Sequence, residues 1–255
     1  FLEQYLDLVI SRDDLYLERI TLYNALGEYK KAQQLIAERK FHPWEGGEGK
    51  VTGQFLFCQI ALAKQALQDK NYQQALHLLQ NTDSYPHHLG EGKLHGAMEN
   101  DIHYYKGCAY KGSGENEKAI AYFEYATKGL SEPAQAFFYN DQKPDTIYFQ
   151  GMALLELNRT AEAVQRFNKL IQYGKAHFND NVQLDYFAVS LPDFQIFDDN
   201  LNVKNQIHCL YLMGLGYTGL GAYTQAADCF KEVREMDINH PGALQMMADV
   251  AVTVR

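Results

Sequence analysis

The sequence predicts an all-α fold: a right-handed α-solenoid of about five helix pairs with inserted loops, preceded by an N-terminal helix. Three observations predict it. Three segments, Tyr105–Phe123, Phe149–Phe167 and Leu212–Phe230, align without a gap, each with a Gly, an Ala twelve residues on and a Phe four further: Gly107/Ala119/Phe123, Gly151/Ala163/Phe167 and Gly214/Ala226/Phe230. Counting two weaker upstream copies, the equivalent alanines stand at 32, 75, 119, 163 and 226, with spacings of 43, 44, 44 and 63. Finally, 46% apolar and 22% charged residues give a chain able to bury a core, unlike a disordered composition.

Taken in order, Leu2, Leu6, Val9 and Ile10 share one helical face in the opening segment. This segment has no initiator Met, no basic stretch and no small-residue cleavage site, so it does not read as a signal peptide. A helix at the first residue reads as a fragment cut from a longer protein, and residues 1–255 read as one domain. The first copy contains Gly27, Ala32 and Ile36; the second contains Ala63, Ala75 and Leu79. Each repeated position has a physical reason. The first Gly lets two helices cross closely, the Ala admits the partner helix, and the Phe fills the gap between neighbouring units. Gly114, Asn158 and Gly221 suit the left-handed residue that ends the first helix of a pair. Asp14 and Asp145 sit near predicted helix starts, where a carboxylate meets free N–H groups. The last stretch, Ala243–Val252, is apolar enough to need a cover, from the last repeat or from another copy of the chain.

This helix-turn-helix pattern resembles the tetratricopeptide repeat (TPR). Its unit needs about 34 residues. The first three junctions therefore hold roughly 9 or 10 extra residues each, and the last nearly 30. The resemblance implies stacked pairs with a concave face.

The extra residues are patterned. Pro43–Lys50 and Pro86–Lys93 stand 43 apart, and each ends in Gly-Glu-Gly-Lys. Repeat symmetry predicts that the two tetrads lie side by side on one edge, each entering an apolar helix, from Val51 and from Leu94. They lack the Walker spacing and its Ser or Thr, which argues against nucleotide. Two readings stay open: a Gly-rich turn at a helix start, or a partner or glycan contact using Trp44, Glu45, Glu48, Lys50, Glu91 and Lys93. The only Trp, Trp44, reads as either a ligand anchor or a lid on the core. The third junction gathers Tyr139, Asn140 and Asp141 beside Phe137 and Phe138. The last insertion, residues 175–205, carries Asp185, Tyr186, Phe187, Asp193, Phe194 and Phe197. Its aromatic rings need burial, which predicts packing across the concave face or a capped groove. Its acids, Asp185 and Asp193 among them, are candidate site residues.

Several classes are disfavoured. A net charge of −9 argues against a nucleic-acid footprint. No apolar run approaches the ~18 residues of a membrane span. Cys58, Cys108, Cys209 and Cys229 lack a CxxC pairing and read as inert buried thiols, which fits a reducing, cytoplasmic setting. No HExxH, zinc spacing or nucleophile elbow appears, so no metal, no cofactor and no catalytic residue is predicted.

The inserts are more specific than the repeat. Phe41–Lys50, Leu89–Lys93, Tyr139–Gln142 and Asp185–Asp193 resemble a family of large bacterial proteins in which a galactose-mutarotase-like β-sandwich region of unknown function precedes a tetratricopeptide array. The resemblance covers nearly the whole chain. It implies that this is the C-terminal helical part and that a sugar-related β domain precedes it. It offers no catalytic residue. The expected function is non-catalytic docking of a protein partner or of the chain's own preceding domain. The alternative is the helical part of a carbohydrate-active enzyme whose loops complete a sugar site, and a third reading is self-association through the array's ends.

Overall fold

The computed structural model describes residues 2–44, 46–136, 141–183 and 200–253, with side chains to residue 250. Among them are twelve α-helices and no strand. After α1 (Leu6–Ser11) come five pairs: α2 (Asp13–Ala25) with α3 (Tyr29–Glu38), α4 (Lys50–Gln68) with α5 (Tyr72–Gln80), α6 (Asn100–Gly112) with α7 (Asn116–Ala126), α8 (Thr146–Glu156) with α9 (Thr160–His177), and α10 (Leu201–Gly219) with α11 (Tyr223–Met236). A last helix, α12 (Pro241–Thr253), follows. The all-α class and the succession of packed helix pairs are as the repeat arithmetic predicts.

The chain forms two compact units, Phe1–Ala97 with Tyr105–Ala119 and Met98–Tyr104 with Ile120–Arg255. In the first, α2 packs on α3 and α4, α3 on α4, and α4 on α5. In the second, α9 packs on α8 and α10, while α11 and α12 pack on α10 and on each other.

One turn is built five times. The fifth residue before each repeat alanine is left-handed: Gly27 (φ 78°), Lys70 (57°), Gly114 (85°), Asn158 (60°) and Gly221 (74°). At each, the next N–H donates five residues back, from Glu28 to Tyr23, Asn71 to Ala66, Glu115 to Tyr110, Arg159 to Leu154 and Ala222 to Tyr217, at 2.7–2.9 Å. This closes the first helix of each pair and satisfies a carbonyl that the helix end would leave free. Lys70 is the exception in residue type, since lysine, unlike Gly or Asn, rarely takes positive φ.

The alanines are buried, four of them at 0% exposure and Ala119 at 3%. Four residues on, Ile36, Leu79, Phe123, Phe167 and Phe230 are each no more than 2% exposed. The glycines explain the close crossings. A Cβ at Gly151 would fall into the Phe167 ring, and one at Gly214 into the Phe230 ring. A Cβ at Gly219 of α10 would also strike Phe167. Phe167 therefore lies in a slot between the glycine of its own pair and a glycine of the next.

The apolar face of α12 is covered by the last repeat. Ala243, Met246 and Val250 are buried, and the Tyr211 hydroxyl of α10 abuts Gly242. Two expectations fail. Leu94 does not open a helix: it is 59% exposed, and α6 begins only at Asn100. Asp145 precedes α8 but makes no side-chain cap bond. At the start of α2, Asp14 accepts from the Leu15 N–H at 2.9 Å and pairs with Arg12. Its neighbour Asp13 reaches further, to Arg39 at 2.6 Å and the His42 N–H at 2.9 Å.

Candidate functional site

The two Gly-Glu-Gly-Lys tetrads do meet, in the first unit, and the contact is architectural. Glu91 accepts from the Gly49 N–H at 3.0 and 3.2 Å and from the Thr52 hydroxyl at 3.3 Å, so the second tetrad caps the helix that the first one opens. Lys93 donates to the carbonyls of Thr82 (3.2 Å) and Asp83 (3.3 Å), beyond the end of α5. The Phe41 N–H donates to the His88 carbonyl at 2.8 Å, locking the two inserts together. Gly90, at φ 81°, lies so close that a Cβ there would sit 2.8 Å from the Phe41 oxygen. The four-residue identity hides two conformations: Gly49 and Gly90 are left-handed, but they are not equivalent positions of the tetrads. Glu48 and Lys50 remain on the surface, while Trp44 is half-buried with its indole against Gly47. Glu45 lies outside the described residues.

A second cluster forms in the second unit, where the third junction crosses helices α8 to α10. Buried Gln150 donates to the carbonyls of Lys128 (3.1 Å) and Leu130 (2.9 Å) and accepts from Arg166 at 3.2 Å. Lys169 pairs with Glu132, and His208 meets the Ala134 carbonyl at 2.9 Å. The junction is thus held from beneath along residues 128–134. Around His208 stand Tyr173, with ring centroids 6.2 Å apart, and His177, whose ring is 4.3 Å from that of Tyr173. His177 also contacts Asp180 at 2.7 Å. Burial lowers the pKa of His208 from its ordinary value, against the opposing pull of the Ala134 carbonyl and of Asp141, which favours the neutral ring. Burial, with Cys209 and Asp180 nearby, pushes the Tyr173 phenol up to about 12. The cluster joins three half-buried rings to a pinned loop.

Of the sequence-named residues, Asp141 belongs to this neighbourhood. Tyr139, Asn140, Asp185, Tyr186 and Asp193 lie outside the described residues, as do Phe187, Phe194 and Phe197. The long insertion is anchored where it is described: the Val182 N–H donates to Asn202 at 2.8 Å, and Asn205 donates to the His177 carbonyl at 2.7 Å. Tyr173, His177 and His208 carried no motif. They stand on α9 and α10, and the bond from His208 to Ala134 spans 74 residues.

Asp145 is a separate feature. Burial and the like charge of Asp101 raise its carboxyl from 3.8 to about 6, partly offset by Lys143. Three of the four thiols, Cys58, Cys209 and Cys229, are buried as expected, while Cys108 is half-buried. Burial holds Cys58 up at about 12 and Cys209 and Cys229 at about 11, far from the thiolate that nucleophilic or metal chemistry requires. No three His, Cys, Asp or Glu side chains converge as a metal site among the described residues.

Comparison with known proteins fits the repeat. Residues 101–138 and residues 145–173 each match the family described as Tetratricopeptide repeat. These two segments are similar to tetratricopeptide repeats. The matched segments hold the third and fourth pairs, with Gly114 and Asn158 at their turns. A solved structure titled "MamA RS-1 ArsTM double mutant" is similar over 77% of this chain and 83% of its own, at 14% identity and a TM-score of 0.26. At that score it adds nothing to the fold derived above. Arrays of such repeats present extended surfaces to other proteins. No helix among the described residues is long and apolar enough to cross a membrane.

Proposed function

We propose that this chain is a non-catalytic docking module that holds a protein partner or a further domain of its own polypeptide. The observation that carries the reading is the convergence of Tyr173, His177 and His208 beside a loop fixed by Gln150, Lys169 and His208. Rings held in place lose little conformational freedom on binding, and contact energy concentrates at such anchors. Asp141 lies beside this surface, close enough to influence His208.

The sugar-completing alternative used loop acids and aromatics, and one of those acids, Glu91, already bonds to the chain itself. The docking reading is tested by capture from native lysate on the immobilised chain, with Tyr173→Ala and His208→Ala run beside it. A partner retained by the parent chain and lost by both variants is the expected result. An identical set of captured proteins on all three chains refutes the placement of the surface.

A further inference from the structure

The second unit holds a group of acids and tyrosines outside the ring cluster around His208. Helix register assembles it. Asp145 and Tyr148 stand three residues apart at the start of α8, so they share its first turn. Helix α10 packs on both α8 and α12. From α10, Tyr211 reaches α12: its ring lies 4.8 Å from that of His240, and its hydroxyl abuts Gly242. Asp249 stands seven residues beyond Gly242, two turns along the same face of α12. The charges of Asp145 and Asp249 act on the Tyr211 hydroxyl, that of Asp249 on Tyr148, and that of Asp101 on Asp145. Three carboxylates and two phenols therefore share one neighbourhood.

The tyrosines make this more than an acidic patch. Tyr148 is 7% exposed and Tyr211 6%, yet neither hydroxyl has a hydrogen-bond partner among the described residues. Buried polar groups are normally matched. Neither phenol oxygen is among the unmatched polar atoms sealed from solvent, and Asp101, Asp145 and Asp249 are only half-buried, which leaves the group open to a ligand. Asp145 makes neither a cap bond nor an ion pair among the described residues. Its carboxyl, raised to about 6 by burial and by Asp101, lacks a positive partner close enough to hold it down; Lys143 offsets the rise only in part. Burial lowers the pKa of His240 and favours its neutral ring. With Lys143 against three acids, the group is net negative.

We propose that this group receives an arginine side chain of the docked partner. Carboxylates only accept hydrogen bonds, and a guanidinium only donates them, through five N–H groups in one plane. The phenol oxygens accept from N–H groups that the carboxylates do not reach, and tyrosine faces attract a cation. An anion would meet three like charges. A metal ion needs its ligands drawn close around it, and no three His, Cys, Asp or Glu side chains converge in that way among the described residues. The ammonium of lysine is a compact point charge and serves fewer of these spread acceptors. The inference rests on the docking reading for its occupant and names the chemistry that occupant carries.

Ligand-observed NMR titration of the full chain near neutral pH tests it, with blocked pentapeptides that differ only in a central arginine, lysine, citrulline or glutamate. The arginine peptide is expected to bind saturably, the lysine peptide more weakly, and the citrulline and glutamate peptides not at all. Asp145→Asn weakens arginine binding by about tenfold or more, the scale of a hydrogen bond to a charged group, with an unchanged or raised melting temperature. Tyr211→Phe removes only an unmatched hydroxyl and weakens binding severalfold at an unchanged melting temperature. If either variant melts early, Tyr148→Phe decides by the same criterion. No saturable binding of the arginine peptide overturns the proposal, as does equal binding of the arginine peptide and its lysine or citrulline version, or equal binding by the parent and the variants. The probes need no partner, so their failure leaves the docking reading to be judged by the lysate capture alone.

Discussion

Gly151→Ala isolates the packing rule on which the array depends. The added Cβ would overlap Phe167, lying 2.6 Å from its Cζ and 3.0 Å from its Cδ1. Ordinary carbon contacts lie at about 3.5–4.0 Å, so the ring must retreat by roughly an ångström. It has no room, because the α10 backbone at Gly219 faces it so closely that a Cβ there would lie 2.6 Å from Phe167 Cγ. Overpacking of this kind costs about 1–3 kcal/mol. The better helix propensity of Ala returns up to about 1 kcal/mol. The net expectation is a loss of about 1–2 kcal/mol, and at about 2–4 °C per kcal/mol for a chain of this size the melting temperature falls by several degrees. Gly53→Ala is the matched control: it too lies inside a helix, and a Cβ there meets nothing within 4 Å, so only the propensity gain of up to about 1 kcal/mol remains. Thermal unfolding followed by far-ultraviolet circular dichroism measures both. In the double variant Gly151→Ala/Phe167→Leu the losses fall short of their sum, because a smaller side chain vacates the slot. Gly151→Ala as stable as the parent, or no different from Gly53→Ala, would refute the account of the glycine-Phe slot.

Four further outcomes are expected. Glu91→Ala removes the acceptor for Gly49 and Thr52 at the start of α4 and lowers stability by about 1–2 kcal/mol in urea melts, with Glu91→Gln milder. Gln150→Leu leaves the Lys128 and Leu130 carbonyls without their donor; we expect a loss of about 2–4 kcal/mol and faster hydrogen exchange along the third junction. Asp145→Asn tests the buried carboxyl through pH. Its raised folded pKa means the native state prefers the proton, so its contribution is intact below about pH 4 and is lost as pH rises through about 6. The Asn variant should therefore match the parent near pH 4 and exceed it at pH 8 by on the order of 2 kcal/mol in thermal melts. Trp44→Ala removes a half-buried ring from Gly47 and should cost about 1 kcal/mol while leaving the helical spectrum unchanged.

Local chemistry made the helix pairs legible. A left-handed residue, an Ala five later and a large apolar residue four beyond that are all set within one turn-and-helix unit, so three copies could be aligned by eye. Lys70 escaped because its residue type gives no hint of positive φ; only its register with Ala75 does. Leu94 misled for a related reason. The sequence symmetry with Val51 is real, yet the symmetric tetrads cannot both open a helix when Glu91 of one is drawn onto the N-terminus served by the other. The ring cluster had no local signature. Tyr173 reads as an ordinary helix residue, and only the approach of His208 to Ala134 reveals its setting.

The polar side chains that brace the junctions bond within the chain, which separates architecture from binding. Glu91, Lys93, Gln150 and Asn205 are matched to backbone groups of distant segments. Asn100 does the same, donating to the Ala126 and Lys128 carbonyls at 2.7 and 2.8 Å. Removing any of them damages the architecture, so a lost activity would say little about contact with a ligand. Net stability is a small difference between large terms, so the loss of one such bond lowers it with no ligand involved. A variant that tests binding is therefore read beside its own melting curve.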